Sequence, residues 1–228
     1  RMALTEMGES YYARCKTIRS DLRDADATVN ATSLDPMGTL RVTASLSFAM
    51  QHIAPLLRAY TERYPKVTVH LEAANRYLDL IDNNIDVAIR TREYENDSGI
   101  TIRSLAETRR ILAASPGYLD RRGAPRTVEE LSSHDLLLYT YSRNPDELAF
   151  RRGEEQRSIK VKGLLESNDG QVLRAAALDG LGILVQPKYI LYDDIVAGRL
   201  VPVLDDWDLP RLRINIAFQS RRHMSAKV

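Results

Sequence analysis

The sequence holds one cysteine, Cys15, so no disulfide can form within the chain and no Cys-x-x-Cys pair is available for a metal. A reducing compartment is the simple reading of that scarcity. Long apolar runs are also missing, and none approaches the roughly 20 residues needed to span a bilayer. Aromatic residues are sparse at 7% and are not interleaved with basic ones, which argues against a stacking groove for single-stranded nucleic acid. Neither sign of charge dominates: 32 basic residues against 31 acidic ones leave +1. A free-standing DNA-binding module is usually more basic than that. Catalytic signatures are thin as well. There is no Gly-x-Ser-x-Gly elbow. His52, His70, His134 and His223 are scattered without ligand spacing. Asp205-Asp206-Trp207-Asp208 lacks the glycine and spacing of a calcium loop and reads as solvated surface. Gly180-Leu181-Gly182 is half a dinucleotide fingerprint, placed before a strand rather than after one. An enzyme, a cofactor site and a metal centre are therefore not expected.

What is present is ordinary in amount and informative in order. With 228 residues, 44% hydrophobic and 28% charged, the chain can build one large domain or two small lobes. Arg1-Met2-Ala3-Leu4-Thr5-Glu6 lacks the apolar stretch of a signal peptide and reads as the middle of a longer protein. Residues 4–30 predict one helix. Along it Gly8, Tyr11, Cys15, Ile18, Leu22, Ala25 and Val29 alternate at spacings of three and four, the period at which two helices share an apolar seam. Tyr11, Cys15, Ile18 and Leu22 are thus candidate dimerisation residues, with Cys15 structural rather than reactive. The alternative is a single amphipathic helix packed on its own domain. Leu34-Asp35-Pro36-Met37-Gly38 is a turn-rich linker.

Strand and helix signals then alternate. Strands are predicted at 39–44, 67–71 and 86–89, with a helix opened by Ser45-Leu46-Ser47 and closed at Tyr64-Pro65, and a shorter helix over 76–83. A second set begins near Arg109, with strands at 110–114, 136–139, 159–163 and 182–185. Its helices follow Ser115, Thr127 as a cap, Asn168 or Asp169, and Tyr189. A last strand runs over 212–219 and can return to the first sheet. Strand–helix–strand order with short loops implies parallel pairing, and two crossings between sheets would leave a cleft.

Several short stretches resemble one family when read together. Leu4-Thr5-Glu6-Met7-Gly8, Pro36-Met37-Gly38-Thr39-Leu40-Arg41-Val42 and the Tyr64-Pro65 pair come first. Asp86-Val87-Ala88-Ile89-Arg90 and Ala114-Ser115-Pro116-Gly117-Tyr118-Leu119 follow, then Gly180-Leu181-Gly182-Ile183 with Pro187, and Gly198-Arg199-Leu200-Val201-Pro202-Val203-Leu204. In this order and spacing they resemble LysR-type transcriptional regulators over essentially the whole chain. The resemblance implies an α/β fold of two Rossmann-like lobes, periplasmic-binding-protein-like (type 2), behind an N-terminal linker helix. It implies residues 1–37 as the end of a winged helix and the linker helix, 38–109 with 214–228 as lobe I, and 110–213 as lobe II. It also implies cytoplasmic location, a homodimer or homotetramer, a small-molecule effector between the lobes, and promoter DNA bound through a domain preceding Arg1. The family's last helix looks cut short after Ser225-Ala226-Lys227. A solute-binding receptor of a transporter shares the fold and is the alternative.

In open α/β sheets ligands sit beyond the carboxyl ends of strands, beside helix N-termini. Ser45, Leu46, Ser47 and Phe48 occupy such a place, where hydroxyls and free N–H groups favour an anion, although Ser45 or Ser47 can equally serve as a plain cap. Arg90, followed by Thr91, ends a buried strand and could pair with a carboxylate, or else form a hinge or surface ion pair. Tyr139, Thr140 and Tyr141, Asn168, and Leu184, Val185 and Gln186 would form the opposite wall by the same strand-end logic. By analogy with the family it resembles, the effector expected there is a small carboxylate.

Overall fold

A computed structural model describes residues 36–92, 100–219 and 227–228, together with single positions between 5 and 22. The described positions from Met7 to Leu22 are helical, and Met7, Tyr11, Ile18 and Leu22 are all exposed. The remainder of the predicted 4–30 helix, with Ala25 and Val29, lies outside the described residues, as do residues 34–35 of the linker and residues 220–226.

Twelve strands are described (β1 Gly38–Ala44, β2 Val67–Ala73, β3 Val87–Arg92, β4 Ile100–Thr108, β5 Arg110–Ala114, β6 Leu136–Tyr139, β7 Glu147–Arg152, β8 Glu155–Lys160, β9 Gly163–Ser167, β10 Ile183–Pro187, β11 Val201–Val203 and β12 Leu212–Gln219). They form two five-stranded sheets, β2-β1-β3-β12-β4 and β11-β5-β10-β6-β9, plus the hairpin β7-β8. The chain passes from the first sheet to the second at Arg109 and returns between β11 and β12, so each sheet is the heart of one lobe. β1 pairs parallel with β2 and β3, and β6 parallel with β9 and β10, as strand–helix–strand order requires. β12 returns antiparallel between β3 and β4.

Helix α1 covers residues 46–63. It begins at Leu46–Phe48, widens into one π-helical turn at Ala49–Ile53 and continues as Ala54–Arg63. Helices α2 (Pro116–Arg122), α3 (Gly170–Leu178) and α4 (Lys188–Val196) belong to lobe II. β10 is buried at every residue because both faces of its sheet are covered. On one face Leu112, Leu136, Leu138, Ile183 and Val185 pack with Tyr118, Phe150 and Trp207. On the other Ile111, Leu137 and Leu184 pack under Leu173, Ala177, Ile190 and Leu191 of α3 and α4. That alternation is the period-two pleat acting on a two-sided core.

The structure departs from the sequence reading at four places. Residues 76–83 form turns instead of a helix. The Asp79 carboxylate accepts from the N–H groups of Ile81 at 2.8 Å and Asp82 at 2.7 Å, offering the backbone an alternative to helical bonding. The predicted helix after Thr127 is a 3₁₀ turn, Glu129–Ser133, that Thr127 does not cap. There the Ser132 and Ser133 hydroxyls donate back to the Glu129 and Glu130 carbonyls. The single strand expected at 159–163 divides between β8 and β9, which belong to different sheets. β4, β7 and β11 carried no clear alternation and were not expected.

Candidate functional site

The starts of α1 and α3 meet where the two lobes face each other, and each start is built by its own capping residue. Ser45 sits in extended conformation and its hydroxyl accepts from the Phe48 N–H at 3.4 Å. Asp169 does the same for α3, accepting from Gln171 at 2.7 Å and Val172 at 3.3 Å. Both helices thus present their positive ends to the junction.

Two side-chain hydrogen bonds join the lobes there. The Gln171 amide donates to the Ser47 hydroxyl at 2.9 Å. The Asn75 amide donates to Asp169 Oδ2 at 2.6 Å, while Asn75 Oδ1 accepts from the Leu46 N–H at 3.2 Å. One asparagine therefore ties the first turn of α1 to the cap of α3. The Tyr189 hydroxyl, at the start of α4, lies beside the hydroxyls of Ser45 and Thr91. Burial pushes the Tyr189 phenol above its ordinary value, and the neighbouring Thr91 and Ser45 hydroxyls offset only part of the rise, so it stays neutral and keeps its proton. Its ring stands edge-on to Phe48 at 5.9 Å and 5.3 Å from His52, which itself lies 4.7 Å from Phe48. The π-helical turn carries His52 into this aromatic group.

The expected residues take different places around this junction. Ser45, Leu46, Ser47, Phe48 and Thr91 are brought together on the lobe I side. Arg90 is buried, with Nη2 donating to the Leu78 carbonyl at 3.1 Å and its guanidinium 4.2 Å from the Tyr77 ring centre, so lobe I groups hold it. On the lobe II side Gln186 lies against the start of α3. A Cβ added to Gly170 would stand 2.9 Å from Gln186 Oε1. Gln186 is only 3% exposed, and its Nε2 has no hydrogen-bond partner among the described residues. Val185 points the other way, into the lobe II core. Tyr139, Thr140, Tyr141 and Asn168 gather at the ends of β6 and β9. There Tyr139 and Tyr141 pack edge to face at 6.1 Å, and the Asn168 amide donates to the Tyr141 hydroxyl at 3.3 Å.

Asn75, Asp169, Gln171, Tyr189 and His52 were not anticipated as site residues. Asp169 was legible as a cap, and the strand-end rule that singled out Asn168 needed only one more step along the chain. Nothing local marks Asn75, which matters because of what stands opposite it.

Behind Gln171 the polar chain continues. Gln171 Oε1 accepts from Arg174 at 3.5 Å, and Arg174 and Arg199 both grip the fully buried Asp194 carboxylate. Burial pushes that carboxyl up, but the hydrogen bonds from Arg174 and Arg199 outweigh it and hold Asp194 below the ordinary carboxylate range. Among the described residues no cluster of His, Cys, Asp and Glu could hold a metal ion, and no helix is long and apolar enough to cross a membrane.

Two α/β lobes joined by two crossings, with helix starts facing across the junction, define a type 2 binding-protein-like domain. Comparison with known proteins fits that class. The family model for the LysR substrate binding domain matches residues 34–228. An HTH-type transcriptional regulator of Haemophilus influenzae is 32% identical over 98% of this chain and 77% of its own length. The HTH-type transcriptional regulator CrgA of Neisseria meningitidis serogroup C is 31% identical, over 90% of this chain and 68% of its own. In structure, the full-length Vibrio cholerae virulence activator AphB superposes with a TM-score of 0.77 at 28% identity, covering 100% of this chain and 79% of that one. The chain belongs to the LysR substrate-binding-domain family and is the effector-binding domain of a LysR-type transcriptional regulator. The relatives it matches are named as regulators, not enzymes.

Proposed function

We propose that this domain binds a small carboxylate between its lobes and that the bound effector sets the angle between them. The observation that carries the reading is the pairing of two helix starts, Ser45–Phe48 and Asp169–Val172, across the lobe junction. The α1 start offers hydroxyls from Ser45 and Ser47, with Thr91 beside them. Gln186 supplies a buried amide donor with no partner among the described residues, a group whose desolvation a ligand oxygen would relieve. In this structure the lobes satisfy one another directly through Gln171–Ser47 and Asn75–Asp169. A carboxylate entering at the α1 start would replace some of those bonds and favour a different lobe angle. The effector then shifts a population and does no chemistry. Through the linker helix, the new angle would alter how the copies of a homodimer or homotetramer sit together and how DNA-reading domains preceding Arg1 are spaced on promoter DNA.

A thermal-shift screen of small aliphatic and aromatic carboxylates tests this directly. A true effector raises the midpoint of the parent and raises it less in Ser45→Ala and Gln186→Leu. A carboxylate that stabilises parent and both variants equally binds elsewhere, and that result overturns the site assignment.

A further inference from the structure

A second recess lies on lobe II, away from the junction. The β7-β8 hairpin turns one face to solvent, on which Ala149 stands opposite Ser158 and Arg151 opposite Gln156. The segment 208–211 runs beside it. Arg151 and Asp208 exchange both backbone hydrogen bonds, at 2.8 and 2.7 Å, and so pin this segment to β7. Arg110 Nε donates to the Pro210 carbonyl at 3.0 Å and steadies the far wall. Between hairpin and segment is a groove of about 750 Å³, lined by Arg151, Gln156, Arg157, Ser158 and residues 208–211 among others. That is within the usual range for small-molecule sites, about 300–1,000 Å³.

The charge inside the groove is unbalanced. Its lining residues include three arginines and one aspartate. The carboxylate, on Asp208, is already paired with Arg109 at 3.1 Å. Arg157 is paired with Glu155 at 2.7 Å. The guanidinium groups of Arg151 and Arg211 have no ion pair or hydrogen bond to any described residue. Two uncompensated cations on walls fixed by backbone bonding, with the Gln156 amide beside them, suit an anion, while the Ser158 hydroxyl is already committed to Glu147 at 2.7 Å. A phosphate offers oxygens in several directions and can accept from donors on both walls at once, whereas one carboxylate offers two oxygens in one plane. We infer that the groove between β7-β8 and segment 208–211 is a second binding site, for a small phosphate-bearing anion, held chiefly by Arg151 and Arg211.

The test is calorimetric titration of the chain with inorganic pyrophosphate at low ionic strength. Arg151 and Arg211 are exposed, so Arg151→Gln and Arg211→Gln leave the core intact, which an unchanged melting midpoint verifies. Each substitution is expected to weaken binding about five- to tenfold, and the pair to abolish it. Ser45→Ala, at the lobe junction, is expected to leave pyrophosphate affinity unchanged. Succinate is expected to bind more weakly than pyrophosphate. The inference is overturned if the parent does not bind pyrophosphate at millimolar concentration, or if the double variant binds as the parent does. It is also overturned if Ser45→Ala lowers the affinity, or if succinate binds as tightly. A failed carboxylate response at the junction would not touch this result, since the two sites share no residue.

Discussion

Replacing Asp194 with asparagine isolates the charge at the centre of lobe II while keeping the shape of the side chain. Asp194 is fully buried, and its two oxygens take charge-assisted bonds from Nε and Nη2 of both Arg174 and Arg199. Removing one partner of a buried ion pair costs about 3–5 kcal/mol, because the charge left behind is stranded. Here the stranded groups are not sealed in: the Arg174 and Arg199 side chains are 28% and 55% exposed and can turn partly to water. The expected cost for Asp194→Asn is therefore at the lower end, about 3 kcal/mol. For a domain of this size each kcal/mol moves the melting midpoint by about 2–4 °C, so a fall of about 6–12 °C is expected by calorimetry. Arg199→Gln is expected to cost about 1 kcal/mol or less, because it removes the more exposed cation and leaves Asp194 paired with Arg174. The pH dependence carries a sign. The Asp194 carboxyl is held below its ordinary value in the folded state, so its contribution is complete above the unfolded pKa near 4 and is lost as pH falls through the folded one. The parent should lose stability more steeply below about pH 4 than Asp194→Asn does. A midpoint shift under about 2 °C, or parallel acid limbs, would show that the Asp194 charge does not stabilise lobe II through Arg174 and Arg199.

Other substitutions probe single contacts. A Cβ at Gly182 would stand 2.3 Å from the Asp135 carbonyl oxygen, which also accepts from Ile183, so Gly182→Ala should destabilise by at least about 3 kcal/mol, measured as a lower denaturation midpoint or loss of soluble protein. Burial, with Arg122 nearby, holds the His134 imidazole below its ordinary value and favours the neutral ring, which is hydrogen-bonded through Nδ1 to the Tyr118 hydroxyl at 3.1 Å. Its stabilising effect is complete above the unfolded pKa near 6.5 and is lost as pH falls below it, and His134→Gln should flatten the stability slope between about pH 7 and 5. Gln171→Ala removes the bond to Ser47 and should open the lobes slightly, read as a larger radius of gyration by small-angle scattering; an unchanged radius would mean that bond does not set the angle. Deleting residues 1–33, which removes the exposed Tyr11, Ile18 and Leu22, should weaken self-association in sedimentation experiments.

The parts of this molecule that were readable in advance share a physical trait: their signal is local. Ser45 and Asp169 announce helix starts because a short polar side chain before an apolar run satisfies free N–H groups, and the structure places both as caps. The 212–219 strand is readable because Leu212, Ile214, Ile216 and Phe218 alternate with polar or small residues after Pro210. What escaped was decided by partners distant in sequence. β4 is a peripheral strand with much of its surface exposed, so it carries no alternation, and it is a strand because β12 pairs with it along its length. Residues 76–83 have helical spacing, yet the Asp79 carboxylate captures the N–H groups of Ile81 and Asp82.

The same distinction separates the halves of the candidate site. The strand-end rule finds Ser45, Ser47 and Gln186 because each stands where a helix begins or a central strand ends. It does not find Asn75 or Gln171, whose importance is relational. Asn75 sits in a turn after β2 and Gln171 in the first turn of α3, 96 positions apart, and each reaches across to a residue of the opposite lobe. Such bridging residues cannot be inferred from their own neighbourhoods, because only the angle between lobes decides what they touch. That dependence also makes them informative. A residue whose hydrogen bond exists only at one lobe angle reports that angle, so the Ser47–Gln171 and Asn75–Asp169 bonds are where a change in lobe geometry should first be felt. The helix caps, satisfied within their own lobes, should remain intact as that angle changes.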